Sequence, residues 1–236
     1  MSDEPATVFL VDDDPSILRA LTRLLHAVGF EVRTFRSSRA FFAEHDPAAP
    51  GCVVLDLAMP DLSGLELQTA MAAAGCHRPI IFVSGRGDIP SSVRAMKAGA
   101  VDFLTKPVSE EHLLAAIRRA VEQDRLMREA RADLQAIAER LSSLTPRERE
   151  VLDHVVMGQL NKQIAADLGT VEKTVKVHRS RVMEKMGVRS LADLVRMAER
   201  LRVAPDAGQS SPQLPTPEPP PRQFRSRRPR VLTNRE

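Results

Sequence analysis

The stretch VVLDLAMPDLSG, residues 53–64, carries an apolar run directly into an aspartate. Asp56 follows Val53, Val54 and Leu55, and a Ser-Gly pair closes the segment. A short, continuous apolar run is typical of a strand that is covered on both faces in a parallel sheet. Ligands of open α/β sheets bind at the carboxyl ends of such strands. The segment therefore predicts a buried strand that presents a carboxylate at the functional edge of a sheet.

Four more apolar runs have the same character, and helical patterns alternate with them. The runs are TVFLV, FEVRTF, PIIFVS and VDFLT. The helical patterns lie near residues 15–28, 37–45, 64–74, 89–98 and 110–124. Regular alternation of strand and helix predicts an α/β doubly wound five-stranded parallel sheet of flavodoxin-like type.

Composition limits the class of protein. With 236 residues, 43% of them hydrophobic and 28% charged, the chain is long enough for two small domains with separate cores. No apolar run approaches the roughly 18 residues that span a bilayer, and the acidic start does not look like a signal peptide. Two cysteines, Cys52 and Cys76, give no disulfide framework or metal cluster. We expect a cytoplasmic protein with no membrane contact.

The net charge of +3 hides an asymmetry along the chain. Residues 1–124 hold 12 basic and 17 acidic side chains, whereas residues 141–201 hold 11 and 8. Residues 202–236 are rich in Pro, Ser and Arg, and they are predicted to be a disordered tail. An acidic first part and basic later parts suggest cation handling at one end and polyanion contact at the other.

The segment between the two predicted domains has two interpretations. Residues 121–143 contain no Gly or Pro, and apolar residues from Met127 to Leu141 follow a spacing of three and four. A short coiled-coil seam would have this spacing, as would the last helix of the first domain continuing as a linker. We favour the linker, over residues 125–140, because so few heptads are present.

Polar residues follow four of the five predicted strands. Asp12, Asp13 and Asp14 end the first, Asp56 the third, Ser84 the fourth and Lys106 the fifth. Parallel strands deliver these residues to one rim. Crowded carboxylates repel one another unless a cation joins them, and an all-oxygen set suits Mg²⁺ or Mn²⁺. We expect Asp14 to cap the helix that Pro15 begins.

This set of groups suits transfer of a phosphoryl group onto a carboxylate. A divalent ion and Lys106 would offset the charge of the phosphoryl oxygens while an aspartate acts as nucleophile. Ser84 could donate a hydrogen bond to the acyl phosphate. Each residue alone has an ordinary structural explanation as a cap or solvated turn residue. Their occurrence together at matching strand ends favours phosphoryl transfer.

The motifs of residues 6–124 resemble the receiver domain of bacterial two-component response regulators. They are Asp12-Asp13, DLAMPDLSG beginning at Asp56, Ser84-Gly85, Phe103 and Lys106-Pro107. The resemblance implies that Asp56 is the phosphoacceptor. It implies that Asp13, Asp56 and the Ala58 backbone carbonyl ligate Mg²⁺, with Asp12 acting through water. Ser84 and Phe103 match the two switch positions, although Phe103 lacks the hydroxyl of the Tyr found in many receivers.

Residues 145–187 divide into three short helices. Thr145-Pro146 is a cap with a proline at the first helical position, and Gly158 ends the first helix. We expect Asn161 to cap the second helix, which Gly169 ends. We expect Thr170 to open the third, which runs to Met186. Two helices joined by a Gly-containing turn match a helix-turn-helix.

A helical wheel divides the third helix into two faces. At about 100° per residue, Val171, Val175, Val182 and Met186 form an expected core face. The opposite face contains Lys173, Lys176, Val177, Ser180 and Glu184, with Arg181 on its flank. Such a face could enter a DNA major groove, with lysines reaching guanine or phosphate and Val177 reaching a thymine methyl. On charge alone, a solvated helix face is an equally good explanation.

Residues 141–201 resemble the LuxR-type four-helix DNA-binding domain throughout. The motifs are LTPREREVL, NKQIAADLG, TVKVHRSRVMEKMGV and SLADLVRMA. Behind a receiver they indicate the FixJ/NarL class of response regulators, with the greatest likeness to the FixJ/TodT branch. The resemblance implies DNA contacts from the start of the second helix and from the recognition helix: Asn161, Lys162, Lys173, Thr174, Lys176, Val177, Ser180 and Arg181.

We therefore expect a transcription regulator controlled by phosphorylation rather than an enzyme. A histidine kinase would phosphorylate Asp56, and a homodimer would then bind promoter DNA and act on RNA polymerase. Slow autodephosphorylation is expected. Two alternatives stay open: a Mg²⁺-dependent phosphohydrolase, which Ala58 disfavours, and constitutive DNA binding. The arginines of the tail either add nonspecific DNA affinity or have no function: Arg222, Arg225, Arg227, Arg228, Arg230 and Arg235.

Overall fold

The computed structural model describes residues 6–85 and 89–203. The first part contains the five predicted strands, and all of them are parallel. They are β1 (Thr7–Val11), β2 (Glu31–Phe35), β3 (Gly51–Asp56), β4 (Ile80–Ser84) and β5 (Asp102–Thr105). The order across the sheet is β2-β1-β3-β4-β5. The strand order reverses between β1 and β3, which is the position where doubly wound sheets bind ligands.

Five helices cover the two faces of the sheet, and each face has its own core. The helices are α1 (Pro15–Ala27), α2 (Ser38–Glu44), α3 (Gly64–Ala73), α4 (Ile89–Lys97) and α5 (Glu110–Ser142). One core contains Phe9, Phe41 and Phe82, all fully buried. The other is built from alternate strand residues and from α1 and α5, and includes Leu10 and Ile117. The predicted α/β fold is confirmed.

Helix α5 is longer than the first domain requires. It continues without a break over 33 residues, and its second half packs against the C-terminal helices. Ile137 is buried in a third core, and Leu141 packs against it. These two residues of the candidate coiled-coil seam are therefore covered by their own chain. Among the described residues, no helix is both long and apolar enough to cross a membrane.

Four further helices form the third core together with the end of α5, and the first of them begins as its sequence predicts. After α5 come α6 (Pro146–Val156), α7 (Asn161–Asp167), α8 (Glu172–Met186) and α9 (Leu191–Val203). Thr145 caps α6 reciprocally with Glu148, as its Thr-Pro signal predicts. Val175, Val182 and Met186 are buried as the helical wheel predicts. The predicted tail, residues 202–236, lies outside the described residues except for its first two positions.

Two predicted helix starts and one core residue are wrong. Leu160, rather than Asn161, is the residue before α7, and its N–H donates to the Gln163 side chain at 2.8 Å. Val171, rather than Thr170, precedes α8. Val171 has extended dihedral angles, so the helical wheel does not apply to it, and it is 64% exposed instead of buried.

Candidate functional site

The carboxylates that follow β1 and β3 lie side by side at the rim of the sheet. Asp12 continues β1, and its N–H donates to the Phe35 carbonyl of β2 at 3.1 Å. Asp56 is the last residue of β3, which pairs with β1 up to Leu55. Asp12 and Asp56 are each only 6% exposed. Two adjacent, buried carboxylates repel each other and need a compensating cation.

Lys106 supplies that cation. Its Nζ lies 2.7 Å from Asp12 Oδ2 and 2.8 Å from Asp56 Oδ1, so one ammonium bridges both carboxylates. The backbone N–H of Lys106 donates to the Ser84 carbonyl at 2.8 Å, which fixes the start of the loop after β5 to the end of β4. The peptide bond between Lys106 and Pro107 is cis. The sheet thus brings together groups that are 50 and 94 residues apart in sequence.

The bridge and the surrounding burial have opposite effects on ionisation. Burial raises the pKa of Asp56, and the hydrogen bond and charge of Lys106 oppose that rise. Burial lowers the pKa of Lys106, but its hydrogen bonds to Asp12 and Asp56 outweigh burial and leave it above its usual value. Lys106 is therefore held as an ammonium, and the Asp56 oxygens stay more basic than those of an exposed aspartate.

The other two acidic residues after β1 have different positions. Asp13 is exposed on the rim. Asp14 caps α1, as predicted, by accepting the Ser16 N–H at 2.7 Å, and this hydrogen bond lowers its pKa. The N–H of Asp14 in turn donates to Asp12 Oδ1 at 2.8 Å, which orients the buried carboxylate.

The turn after Asp56 is built around close backbone contacts. Asp56 Oδ2 accepts the N–H of Ala58 at 2.8 Å, so each oxygen of this carboxylate has a partner. A Cβ on Gly64 would lie 2.6 Å from the Asp56 carbonyl and 2.9 Å from the Phe82 ring. Only glycine fits at that position, which explains the Ser-Gly pair in the opening segment. Ser63 caps α3 reciprocally with Glu66.

Ser84 and Phe103 occupy neighbouring strands beside the acidic pair. Ser84 is 1% exposed at the end of β4 and pairs in register with Thr105. Phe103 is half-buried, with its ring centroid 6.1 Å from that of Phe82. Their role as switch residues stays a prediction. Within residues 6–85 and 89–203, no three His, Cys, Asp or Glu side chains are arranged to hold a metal ion, so the Mg²⁺ ligand set stays a prediction.

The outer face of α8 is exposed, and it carries most of the predicted DNA contacts. The exposed members are Lys173, Lys176, Val177, Ser180 and Arg181, together with Lys162 at the start of α7, whereas Thr174 is half-buried. Lys176 Nζ lies 3.3 Å from Glu172 Oε1, an exposed pair one turn apart. Asn161 instead accepts a hydrogen bond from Arg179 Nη1 at 3.2 Å, which joins α7 to α8.

One ion pair that supports this domain was not predicted. Glu148 is 3% exposed, and its Oε2 lies 2.7 Å from Lys185 Nζ. The Lys185 hydrogen bond and the Thr145 N–H lower the pKa of Glu148 to about 2. The sequence analysis did not single out Glu148, and no local pattern pairs it with a lysine 37 residues later.

Two family models match the chain, and they divide it as the cores do. The response regulator receiver domain matches residues 8–118, and the bacterial regulatory proteins of the luxR family match residues 142–198. The chain is 49% identical over 199 residues to nodulation protein W of Bradyrhizobium diazoefficiens, covering 84% of this chain and 88% of that protein. It is 46% identical over 202 residues to response regulator protein TodT of Pseudomonas putida, covering 86% and 89%.

Two solved structures are similar to this chain over most of its length. The response regulator StyR matches with a TM-score of 0.77 and 47% identity, over 83% of this chain and 99% of that one. Full-length FixJ from B. japonicum matches with a TM-score of 0.52 and 40% identity, over 85% and 98%.

Proposed function

The chain belongs to the response regulators that join a receiver domain to a LuxR-type DNA-binding domain, and from this premise we propose that phosphorylation of Asp56 controls its binding to promoter DNA. The family is one of transcription regulators of two-component systems, not of enzymes. A histidine kinase is accordingly the phosphoryl donor. One observation carries the proposal: the Lys106 ammonium bridges the buried carboxylates of Asp12 and Asp56 at the carboxyl edge of the sheet.

The residues around Asp56 fit the role of nucleophile. A carboxylate oxygen attacks phosphorus, the bond from phosphorus to the donor breaks, and an acyl phosphate results. The buried environment keeps that oxygen basic, and Lys106 offsets the negative charge brought by the phosphoryl group. The N–H of Ala58 stays aimed at the same carboxylate. The Ser84 hydroxyl then donates a hydrogen bond to the phosphoryl group.

The donor set also fits a divalent cation. The predicted ligands, which are the carboxylates of Asp12, Asp13 and Asp56 and the Ala58 carbonyl, are all oxygen atoms, and oxygen ligands suit Mg²⁺ or Mn²⁺. When bound, the ion would neutralise charge on the phosphoryl oxygens. Lys106 holds the two buried carboxylates in position for it. We assign slow autodephosphorylation to the same site.

Intact mass after incubation with Mg²⁺ and a small acyl-phosphate donor tests the nucleophile. Wild-type protein should gain one phosphoryl group, and Asp56→Asn should gain none. Asp61→Asn is the matched control, because Asp61 is an exposed aspartate of the same loop. Equal gain in wild type and Asp56→Asn would show that another residue is the nucleophile. A protein that binds DNA equally well with and without the donor would support constitutive DNA binding instead.

The face beside the switch residues supports homodimerisation on phosphorylation. Ile89, Val93 and Met96 of α4 are 78%, 44% and 47% exposed, and they form an apolar stripe along one side of the helix. We propose that Ser84 and Phe103 change position when the phosphoryl group is present. This change would shift the equilibrium towards a conformation in which the α4 face binds a second copy of the chain. Light scattering before and after phosphorylation measures this, and Met96→Glu should keep the phosphorylated protein monomeric.

The exposed face of α8 supports reading of the major groove. Lys176 and Val177 are the central residues of that face. One such helix contacts few bases, and linking two copies in a dimer increases the affinity for DNA. Lys176→Ala should cost about 1–3 kcal/mol of affinity for a duplex selected from a random-sequence pool, if Lys176 reads a base. Uniform weakening across sequences would assign Lys176 to phosphate. Lys97→Ala, an exposed lysine of α4, is the control.

We propose the division of the chain into a receiver (residues 1–124), a helical linker (125–140), a DNA-binding domain (141–201) and a tail (202–236). Three hydrophobic cores support it, two on the sheet and one among α6–α9 and the C-terminal end of α5. RNA polymerase is the proposed partner of the DNA-bound dimer. Removing residues 202–236 should leave affinity unchanged at low salt if the tail does not contact DNA.

A further inference from the structure

A cysteine and a histidine lie in contact at the edge of the receiver sheet opposite the acidic rim. Helix α3 ends in a turn where Gly75 has a φ of +68°, and the N–H of Cys76 donates back to the Met71 carbonyl at 2.9 Å. This turn directs the Cys76 side chain towards the residue that follows α2. Cys76 Sγ lies 3.8 Å from His45 Nε2, and both residues are half-buried.

The imidazole of His45 is oriented for proton transfer. His45 Nδ1 lies 2.8 Å from the Phe41 carbonyl, and because a carbonyl only accepts, Nδ1 carries the proton. Nε2 of the neutral ring therefore presents its lone pair to the thiol. The His45 ring also stacks on the Phe41 ring, with centroids 4.5 Å apart and planes 15° apart, which fixes its orientation. Thiol, base and an orienting group thus form a chain of contacts typical of an activated nucleophile.

Arg78 adds positive charge beside this pair. Arg78 is 5% exposed, and its Nη2 donates to the Asp46 and Ala49 carbonyls at 2.6 and 2.8 Å. Its Nε and Nη1 are buried without a hydrogen-bond partner among the described residues. Burial opposes ionisation of Cys76, but the His45 and Arg78 contacts outweigh it and lower the pKa of the thiol.

The second cysteine is an internal reference. Cys52 is fully buried within β3, and burial together with the charge of Asp124 raises its pKa to about 12. A thiolate is the reactive form of cysteine, and structural buried cysteines are inert. The two cysteines of this chain therefore have opposite environments.

We propose that Cys76, paired with His45, is a reactive thiol and a site of oxidation by hydroperoxides. The thiol proton passes to His45 Nε2, and the thiolate sulfur attacks one oxygen of hydrogen peroxide. The S–O bond forms as the O–O bond breaks, and the leaving hydroxide takes the proton from the imidazolium to give water. Sulfur loses two electrons, the peroxide is reduced, and the product is a sulfenic acid that thiols can reverse.

Timed alkylation of the full-length, folded protein tests the reactivity. With limiting iodoacetamide at about pH 7, peptide mapping should show Cys76 alkylated faster than glutathione under the same conditions, with Cys52 unmodified. His45→Gln should slow alkylation of Cys76 by about tenfold or more. Circular dichroism and phosphoryl uptake at Asp56 verify that this variant is folded. If it is not, the comparison of wild type with glutathione decides alone.

Trapping with dimedone after hydrogen peroxide tests the oxidation. Wild type and Cys52→Ala should each gain one adduct, located on Cys76, and Cys76→Ser should gain none. Alkylation of Cys76 no faster than glutathione would show an ordinary half-buried thiol and overturn the pairing with His45. Fast alkylation without a dimedone adduct would overturn oxidation by peroxide.

Discussion

Replacing Lys106 with methionine removes the only cation that the described residues place against Asp12 and Asp56, while it keeps most of the side-chain volume. Two charge-assisted hydrogen bonds, of 2.7 and 2.8 Å, are lost, and each is worth roughly 1.5–3 kcal/mol. Removing one partner of a fully buried pair costs about 3–5 kcal/mol. The Lys106 side chain is 24% exposed, so water replaces part of the interaction, and we expect a loss of about 2–3 kcal/mol in the free energy of unfolding.

The pH dependence of that loss separates electrostatics from packing. In the folded variant, Asp56 is buried without its cation, so nothing from Lys106 opposes the rise that burial causes in its pKa above the value in the unfolded chain. The folded state then binds more protons than the unfolded state, and its stability relative to wild type decreases as pH rises. We expect a deficit at about pH 7 that shrinks as pH falls and is smallest below about pH 3, where the Asp56 carboxyl is protonated in both states.

Urea denaturation followed by far-ultraviolet circular dichroism measures the deficit, since the chain contains no Trp or Tyr. Amide hydrogen exchange assigns it to β1 and β3 rather than to α6–α9. Lys97→Met, on the exposed end of α4, is the matched control and should have almost no effect. A deficit below about 0.5 kcal/mol, or one of equal size at both pH values, would refute the bridging role of Lys106.

Three further changes test the supporting structure. The pKa of Glu148 is about 2, below its ordinary 4.5. Its pairing with Lys185 therefore stabilises the fold above about pH 4.5, and that stability is lost as pH falls towards 2. Glu148→Gln should make the stability, measured by helical circular dichroism, less dependent on pH over this range. Gly51 has a φ of +136° and a β1 carbonyl against its Cβ position, so Gly51→Ala should lower the free energy of unfolding by roughly 2 kcal/mol or more in urea titrations. Val175→Ala should cost about 2 kcal/mol from a fully buried site, whereas the same change at exposed Val177 should leave the urea midpoint unchanged and weaken DNA binding.

The acidic rim shows how far sequence reasoning reaches into the site. Strand ends in a parallel sheet meet at one edge, so Asp12, Asp56, Ser84 and Lys106 could be assigned to one place before any distance was known. The sequence pattern did not distinguish buried Asp12 from exposed Asp13. That difference arises from the β2 strand beside β1, which pairs with Asp12 through the Phe35 carbonyl.

The helix-turn-helix shows a different limit. Periodicity placed Val175 correctly in the core. The residues on both sides of Val175 are helical, so successive side chains there are rotated by about 100° as the helical wheel assumes. It failed at Val171, where the backbone is still extended, and the preference of Asn for caps misassigned the start of α7. Asn161 bonds to Arg179 of the following helix instead, and no local rule anticipates that partner.

By itself the sequence determined the order of strands and helices, the two-part organisation and the set of residues at the rim, because periodicity and turn signals act over a few residues. Only the tertiary structure decided which side chains are in contact across the fold. These contacts are Lys106 with both carboxylates, Glu148 with Lys185, and Cys76 with His45. Each of these pairs joins separate elements. Its energy depends on ångström-scale distance and on burial by neighbouring elements, and those quantities exist only once the chain has packed.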